Sequence, residues 1–515
     1  MTFVSNRESY IQKFIDFVIG VSMVKVNSIA AVLMFCSIGI SACVDSETKD
    51  NANNNLNVNE TISNLPSRSD WVNYMQVIEK FYVNKDAIGQ DDGIFPTWRC
   101  NDGSLRNKTT CPGEDLNSFD GIPLVWETDF VRMHSRQTFA YGAIYNVTGN
   151  VEDLKLHLKG VKFIQDHVFR KDGGFNLLFE DNKPVNNSEI FAENPQDLSY
   201  MLMGLAMNVY LTGDSNSIDA LVKTQRYIFD NYYDENQGML TWSKRDTYID
   251  KTNQQELVAQ LDQLNAYMLL SWRLIPAEYK SAWSADIKKL VDVMNTKFYD
   301  KEKNKFNGCL HDQKECFGIG TKHGDFGHRV KTFWMEYLAA LGLGDEQLAT
   351  FARNGMLDTV NKALADNKIQ WYEDENLGEP FWWVKAELNQ VALTLALDGN
   401  GYVVPGTLKE LLANELDTTY GELKDNLKTH LWRNGFHSSE QGLMGYILSD
   451  AIRYKHCDSQ KCKDDNLTKL YFAPTDEKNM TYTPYLYGGD IKSIDKTATG
   501  VEVTFINVGL PKKVK

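Results

Sequence analysis

The feature of this 515-residue chain that most restricts its fold is a helical unit that recurs along the sequence. YNVTGN at 145–150 and VYLTGD at 209–214 are two copies of one helix ending, an apolar helical run that stops at a glycine. LGLGD at 341–345 and LALDGN at 395–400 are looser copies. Between these endings lie short segments with strand-like alternation and a polar turn, which begin at Gly173, Gly238, Lys305 and Ile369.

The repeating unit is therefore helix, tight turn, helix and hairpin, and apolar spacings of three and four predict about twelve helices. Units that cannot bury their own apolar faces stack into an array or close into a ring. Six pairs would close an all-α (α/α)6 barrel around a central cavity, with short β-hairpins between the pairs. An open solenoid is the alternative, and the lack of polar capping units favours closure. The predicted helices are 70–83, 130–147, 151–169, 196–211, 217–232, 255–274, 282–298, 330–343, 345–367, 381–397, 408–431 and 440–453.

The two ends of the chain differ from this helical region, which we place at residues 68–465. Residues 466–515 include GVEVTFINV, in which Val501, Val503 and Phe505 alternate with other side chains, and we predict a small strand-rich extension packed on the barrel. Residues 43–67 are polar, rich in Asn and free of aromatic side chains, so we predict a flexible tether.

Residues 1–42 have the features of a secretory signal. After Met23, a second possible start, Lys25 precedes an apolar run of about 15 residues that ends in Ile-Ser-Ala-Cys at 40–43. This ending resembles a bacterial lipobox, in which signal peptidase II cleaves before the cysteine and lipid is attached to it. The sequence predicts an exported lipoprotein at the periplasm or cell surface, held to the membrane through lipid on Cys43. A short transmembrane anchor is the alternative.

Six further cysteines form three close pairs in polar segments, which independently indicates export. Such pairs suit small local disulfide loops in an oxidising compartment. A zinc site is the alternative, but the pairs lack CxxC spacing with histidines close by, so we predict disulfides and no metal. The pairs are Cys100 with Cys111, Cys309 with Cys316, and Cys457 with Cys462.

The formal net charge of −15 makes general nucleic-acid binding a poor fit, since an acidic surface repels phosphate backbones. The chain has no P-loop, GxGxxG, HExxH or GxSxG, and so gives no positive evidence for nucleotide, metal-dependent or serine-nucleophile chemistry. Among the nine histidines, four lie in polar contexts and are predicted at the surface, namely His157, His167, His311 and His456.

Three other residues lie near the starts of predicted inner helices. His328, in HGDFGHRVKTFWMEYL, directly precedes an apolar helix, and His437, in WRNGFHSSEQGL, holds the same position relative to the last helix. Arg136, in RMHSRQTFAYG, lies within the first inner helix, where a charge is costly unless it is paired or faces a cavity. Helix capping or a core hydrogen bond is the alternative for each residue alone. Their recurrence at one end of a helical barrel favours a functional site.

These residues also carry a family resemblance. FGHRVKTFW at 326–334 resembles the FGHxxExxW segment of the N-acylglucosamine 2-epimerase superfamily, which includes cellobiose 2-epimerase and aldose–ketose isomerases. WWVKAE at 382–387 resembles its WWxQAE, SRQ at 135–137 its ARQ or GRQ, and GFH at 435–437 its terminal FH. The four segments occur in family order. The resemblance implies an (α/α)6 barrel, a sugar isomerase or epimerase without a cofactor, and His328 and His437 as the acid/base pair.

The chemistry of 2-epimerisation suits these residue types. Two imidazoles on opposite sides of one carbon can exchange its proton, because imidazole pKa values lie near neutrality. Arg136 would bind the substrate oxygen that becomes negative in the enediolate. Trp382 and Trp383 would supply an aromatic floor for a sugar ring, with core packing as their alternative. Further substrate-binding candidates are Glu387, Asp262 and His134.

Departures from the family pattern keep other functions open. The family's Glu is Lys331, one helical turn after His328, and two family histidines correspond to Leu198 and Asp262. A cation at Lys331 would keep His328 neutral and would suit a substrate with a carboxylate, such as a uronate. One alternative is a polysaccharide lyase or glycosidase on the same barrel; another is a glycan-binding lipoprotein without activity. The candidate carboxylates of a glycosidase are Glu127, Asp262 and Glu387.

Overall fold

Most of the chain from residue 58 onward is described by the structure, which is a computed structural model. The described residues are 58–106, 110–111, 126–185, 192–244, 254–318, 320–364, 369–373, 382–399, 402–425, 428–430 and 432–514. The predicted signal segment and Cys43 lie outside these residues. Within them, no helix combines the length and the apolar character needed to cross a bilayer.

The secondary structure is mainly helical. In chain order the helices are α1 Arg68–Tyr82, α2 Lys85–Ile88, α3 Val131–Thr148, α4 Val151–Phe163, α5 Pro195–Thr212, α6 Ser215–Tyr232, α7 Leu257–Gln263, α8 Leu269–Ser271, α9 Ala277–Val293, α10 Gln313–Phe317, α11 Phe326–Leu343, α12 Glu346–Ala363, α13 Trp382–Asp398, α14 Thr407–Asn414, α15 Phe436–Lys455 and α16 Gln460–Asp465. Short π-helical turns continue α4, α7 and α9, at Ile164–Val168, Leu264–Met268 and Met294–Phe298. The strands are β1 Asp129–Phe130, β2 Leu178–Glu180, β3 Lys183–Val185, β4 Tyr233–Asp234, β5 Met239–Leu240, β6 Tyr299–Asp300, β7 Lys305–Phe306, β8 Thr468–Phe472, β9 Gly488–Lys496 and β10 Val501–Gly509.

An inner ring consists of α3, α5, α7 with α8, α11, α13 and α15. Nearly every residue of α3, α5 and α15 is buried, as expected for helices enclosed on all sides. Each inner helix packs on the next, and α15 packs back on α3. Outer helices are amphipathic; in α6, Leu221, Ile228 and Tyr232 are buried at helical spacing. The closed ring confirms the predicted (α/α)6 barrel and is incompatible with an open solenoid.

The repeated helix endings are confirmed. Gly149 and Gly213 end α3 and α5 in the left-handed region, at φ of 69° and 66°, and their N–H groups donate to the carbonyls of Tyr145 and Val209. Glycine is favoured at such a position because it has no Cβ. Three predicted hairpins are also present, β2–β3, β4–β5 and β6–β7. The fourth segment contains no strand over its described residues 369–373, and its residues 374–380 are outside the described part.

The C-terminal extension contains the three-stranded antiparallel sheet β8–β10–β9. In the central strand, Val501 pairs with Phe472 of β8 and with Lys496 of β9. Val501, Val503 and Phe505 are buried, which confirms the strand predicted from their alternation.

This extension covers the end of the barrel formed by the C-termini of the inner helices. The N–H of Ala473 donates to the carbonyl of Leu211 at the end of α5, and the N–H of Val514 donates to Gly342 at the end of α11. The extension therefore covers that end of the barrel, and we call the other end, at the N-terminal ends of the inner helices, its opening.

The helix predicted at 408–431 is wrong. α14 ends at Asn414, and the Asp417 carboxylate then accepts the N–H groups of Thr419 and Tyr420 in a turn. Gly421 follows at φ 88°, which a helix cannot contain. The local hydrogen bonds of an aspartate and a left-handed glycine outweigh the helical spacing of the apolar residues.

Part of the predicted tether is folded, so its assignment as a flexible segment is wrong for these residues. Residues 58–64 are helical, and Leu65 is buried. The Asn64 side-chain amide donates to the carbonyl of Val404 at 2.8 Å. A segment too polar to form its own core can still dock on a core that the rest of the chain supplies.

The three predicted disulfides, Cys100–Cys111, Cys309–Cys316 and Cys457–Cys462, are confirmed. A ring nitrogen of His311 lies within 4.8 Å of both sulfurs of the second bridge. Those sulfurs are bonded to each other, so this cluster presents no thiolate to a metal ion.

Candidate active site

The opening of the barrel is lined by the first turns of the inner helices, and both predicted histidines lie there. His328 is in the first turn of α11, Trp383 is the second residue of α13, and His437 is the second residue of α15. The ring centroid of Trp383 lies 4.8 Å from that of His328 and 5.7 Å from that of His437. The fold therefore brings two imidazoles from distant parts of the chain against one indole.

His328 is oriented by the residue that caps its own helix. Asp325 precedes α11, and its Oδ1 accepts the backbone N–H of His328 at 3.0 Å. The other oxygen, Oδ2, lies 2.6 Å from Nδ1 of His328. Because an ionised carboxylate only accepts hydrogen bonds, Nδ1 carries the proton and Nε2 remains available for substrate. The His328 side chain is 19% exposed at the rim of the opening.

His437 has the same arrangement, but its carboxylate comes from another helix. Nδ1 of His437 donates to Oε1 of Glu387, on α13, at 2.8 Å. The Lys331 ammonium, on α11, donates to the same oxygen at 3.3 Å. All three side chains are buried, and that of Glu387 is completely inaccessible. A charge cluster at this depth is stable only because its members pair with one another.

This cluster fixes the protonation state of each member. Burial alone would raise the pKa of Glu387, but Lys331 and the hydrogen bond from His437 lower it to about 2. Burial favours deprotonation of Lys331, yet Glu387, together with Tyr200, Asp262 and Glu440, keeps the pKa of Lys331 above its usual value. Burial and the Lys331 charge lower the pKa of His437 to about 3. At neutral pH the cluster is therefore ammonium, carboxylate and neutral imidazole.

The expected effect of Lys331 on His328 is corrected by this geometry. Although Lys331 follows His328 by one helical turn, its side chain extends to Glu387, and its Nζ lies 5.5 Å from the Phe436 ring beside His437. The flexible lysine stem allows the charge to lie away from its own neighbours on the helix. Its cation acts on the protonation of His437.

Arg136 also reaches the opening. Its guanidinium lies over the Tyr200 ring, with Cζ 3.9 Å from the ring centroid, and 5.9 Å from the ring of Phe436. Nη1 donates to the backbone carbonyl of Trp432. No carboxylate among the described residues forms an ion pair with this guanidinium. Arg136 and Lys331 thus place two buried cations beside the same Phe436 ring.

Asp262 belongs to the same surroundings, since its charge contributes to the pKa values of Arg136 and Lys331. Its Oδ2 accepts a hydrogen bond from the Gln196 amide at 2.7 Å. Trp382 packs against a second guanidinium, with Cζ of Arg433 4.0 Å from its ring centroid, and is only 6% exposed. Of the two tryptophans, Trp383 is the more accessible and the one that lies between the histidines.

His134 lies in the wall of the barrel, apart from the other candidates. Its Nδ1 accepts the N–H of Phe95 at 2.9 Å, and Nε2 lies 3.0 Å from the carbonyl of Gly160, so both nitrogens are used by backbone groups. His157 is wrongly predicted at the surface, since it is buried and bonds the carbonyl of Thr138 at 2.8 Å. A polar sequence context did not reveal that this ring fills a space beside an inner helix.

His323 is a site residue that the sequence pattern did not reveal. Its ring centroid lies 4.5 Å from that of His328, and its backbone is left-handed, at φ 53°. The loop that carries it rests on Gly308, where an added Cβ would lie 1.9 Å from the carbonyl oxygen of Lys322. The position of the ring depends on this tertiary contact, which no local spacing encodes. Asp325, in contrast, could have been predicted from the sequence, because an acidic residue directly before an apolar helix is typical of a helix cap.

Comparisons with known proteins find solved structures of similar fold but no match by sequence. No protein-family profile and no curated protein matches the chain. The solved structure of a D-mannose isomerase aligns with a TM-score of 0.57 over 74% of this chain and 97% of that one, at 13% identity. The chain has the fold of these (α/α)6 enzymes.

Two further solved structures share the fold. A cellobiose 2-epimerase from Bacillus thermoamylovorans aligns with a TM-score of 0.57 over 74% of this chain and 98% of that one, at 12% identity. An unsaturated glucuronyl hydrolase from Bacillus sp. GL1 aligns with a TM-score of 0.52 over 74% of this chain and 97% of that one, at 9% identity. Because one fold hosts several reactions, the assignment of function rests on the site.

Proposed function

We propose that this protein is a carbohydrate isomerase or 2-epimerase that exchanges protons between two histidines and a sugar or oligosaccharide. The observation that carries the proposal is the position of His328 and His437 against Trp383, each with Nδ1 on a carboxylate and Nε2 left for substrate. The resemblance of the four sequence segments to the N-acylglucosamine 2-epimerase superfamily supports it. The names of two proteins of the same fold, a D-mannose isomerase and a cellobiose 2-epimerase, agree with this reaction class.

The reaction acts on the open-chain aldose, whose C2 proton is acidic because it lies beside the carbonyl. One imidazole takes this proton, the C2–H electron pair forms a C1–C2 double bond, and the carbonyl oxygen gains the negative charge of an enediolate. A protonated imidazole on the other side then gives a proton to the opposite face of C2, which yields the epimer. Protonation at C1, with transfer of the O2 proton to O1, yields the ketose instead.

His437 is the base in this assignment, since burial and Lys331 keep its imidazole neutral at physiological pH. Glu387 fixes the Nδ1–H tautomer, so Nε2 accepts the substrate proton. Arg136 and Lys331 lie beside the Phe436 ring next to His437, where their charges would stabilise the negative oxygen of the enediolate, since preorganised charge of this kind stabilises a transition state. Trp383 provides a flat apolar surface between the two imidazoles on which a sugar ring can stack.

The test is product analysis in D2O with candidate aldoses and disaccharides. The wild type should give an isomer of equal mass apart from solvent deuterium, which lies at C2 of an epimer or at C1 of a ketose. His328→Ala and His437→Ala should each lower turnover by about 10²–10⁴-fold, the usual contribution of acid–base catalysis, with unchanged helical circular dichroism. His167→Ala is the matched control, because that ring is exposed and lies outside the site. Near-normal turnover in either site variant would disprove the acid/base assignment.

A second candidate is a polysaccharide lyase that acts on a uronate, and one observation favours it. Lys331 and Arg136 lie beside the same Phe436 ring, where they could neutralise a substrate carboxylate while an imidazole removes the adjacent proton. A lyase product is an unsaturated sugar that absorbs in the ultraviolet. A glycan-binding protein without activity would give neither product, so the same assay separates the three functions.

The export predicted from the sequence remains part of this proposal. A lipid on Cys43 would hold the enzyme at the periplasm or cell surface, where it meets extracellular glycans and no nucleic acid. Labelling with radioactive palmitate should mark the wild type and should not mark Cys43→Ala. Equal labelling of both would refute lipidation at this cysteine.

A further inference from the structure

The C-terminal extension sends one short segment into the interior of the barrel. Tyr485 and Tyr487 are 2% and 1% exposed, and both side chains are enclosed by inner helices. Leu486, between them, has a left-handed backbone at φ 59°. A bulky residue is strained in this region, and such strain persists where surrounding contacts over-determine it. The unusual backbone of Leu486 lies between two tyrosines that are both buried in the barrel.

The Tyr485 ring lies among residues of the inner ring. Its centroid is 6.0 Å from that of Phe139 on α3 and 5.9 Å from that of Tyr210 on α5, in edge-to-face geometry. Its hydroxyl donates to Oε1 of Glu440 on α15 at 2.8 Å. Glu440 lies one helical turn after His437, so the tyrosine meets α15 directly beneath the proposed base.

Glu440 is buried beside the charge cluster of the active site. The groups that act on it are Glu387 from α13, Lys331 from α11 and Tyr485 from the extension, with the Gln390 amide. Burial and the Glu387 carboxylate raise the pKa of Glu440 to about 8, although Lys331 and Tyr485 lower it. Glu440 is therefore largely neutral at physiological pH, and Lys331 is left as the ion-pair partner of Glu387.

We propose that Tyr485 is a positioning residue of the active site, which acts through Glu440 on the His437–Glu387 pair, and that the C-terminal extension is therefore part of the catalytic apparatus. This inference rests on the proposed function for its kinetic test. It adds to that function a role for a segment that the four family-like motifs do not include.

The experiment compares Tyr485→Phe with Tyr145→Phe in the full chain. Tyr145 is a matched control, because its buried hydroxyl also joins the barrel to the extension, by a 3.2 Å hydrogen bond to the carbonyl of Phe472. Both variants keep the aromatic ring, and circular dichroism verifies their folding. Tyr485→Phe should lower kcat about fivefold, the effect expected for one buried hydrogen bond, and Tyr145→Phe should leave kcat unchanged.

The pH dependence of kcat distinguishes a positioning role from a purely structural one, because a purely structural role would leave the pH profile unchanged. Tyr485 favours the ionised form of Glu440 by donating to it, so its loss raises the pKa of Glu440 further. A change in kcat that accompanies ionisation of Glu440 near pH 8 in the wild type should move to higher pH by about one pH unit in Tyr485→Phe. The profile of Tyr145→Phe should overlay that of the wild type.

A second measurement needs no turnover. The 15N chemical shifts of the His437 imidazole, followed between pH 7 and 10, should show the same ionisation and the same displacement in Tyr485→Phe. If Tyr485→Phe displaces the ionisation seen at His437 although the wild type transforms no sugar, the positioning role stands and the proposed function fails. If the wild type is active and Tyr485→Phe equals Tyr145→Phe in both kcat and the His437 shifts, the positioning role is overturned.

Discussion

The two imidazole–carboxylate pairs of the site have the same hydrogen bond and different origins. His328 and Asp325 lie three residues apart, at the start of one helix, and the histidine is partly exposed. His437 and Glu387 come from α15 and α13, and both are buried. The first pair needs only the first turn of α11 and its capping residue, Asp325. The second forms only when the ring of helices closes.

This difference determines how far the surroundings can tune each histidine. A pair at the rim exchanges with solvent, which screens charges and accepts protons. In the buried pair, Lys331 lies within hydrogen-bond distance of the shared carboxylate, and the low local dielectric strengthens its effect. We infer that the rim pair provides a proton donor in contact with water and the buried pair a neutral base with a fixed tautomer.

The largest expected effect is that of Glu387→Gln, which breaks the buried pair. The substitution leaves the Lys331 ammonium buried without its carboxylate, and the loss of one partner of a buried ion pair costs about 3–5 kcal/mol of stability. Turnover should also fall by at least about 10²-fold, because the His437 tautomer is no longer fixed. Thermal denaturation and steady-state kinetics measure the two effects.

Asp325→Asn is the matched change at the rim. Asparagine caps helices about as well as aspartate, so the free energy of unfolding should change by less than about 1 kcal/mol. Turnover should still fall, since a neutral amide no longer selects the Nδ1–H tautomer of His328. Equal losses of stability in the two variants would contradict the distinction between a local and a tertiary pair.

A smaller effect on turnover is expected from Lys331→Met, which keeps the length of the side chain and removes its charge, although it also leaves a buried partner of the ion pair, Glu387, without its cation. Because Lys331 lowers the pKa of His437, its removal should raise that pKa from about 3 toward the usual range. Protonation of the base would then begin at a higher pH, and the acid limb of kcat/KM should move upward by at least about one pH unit. An acid limb unchanged between pH 4 and 7 would show that Lys331 does not control His437.

The sequence predicted the fold well because the signals for it are local and repeated. Apolar spacing identified the inner helices, and Gly149 and Gly213 marked their ends, since only the backbone of a single residue decides a left-handed cap. The prediction failed at 408–431, where Asp417 and Gly421 form a turn within an apolar pattern. A turn depends on only one or two residues, so a prediction based on apolar periodicity over many residues easily overlooks it.

For the site, the sequence identified side chains and not their partners. His328 and His437 were predicted from their positions at helix starts, and the structure brings both to Trp383. His134 lies two residues before Arg136 on α3 and does not join it at the site, because residues two positions apart on a helix face different directions. His323 was missed because its place depends on a contact with Gly308.

The amino-acid sequence by itself determined the helical repeat and the disulfide pairs, because each depends on residues close together in the chain. Only the tertiary structure decided that Lys331 shares a carboxylate with His437 and that Tyr485 reaches Glu440 from the opposite end of the barrel. The physical reason is distance along the chain. Charges interact through space, and the low dielectric in which they act exists only after the ring has closed and excluded water.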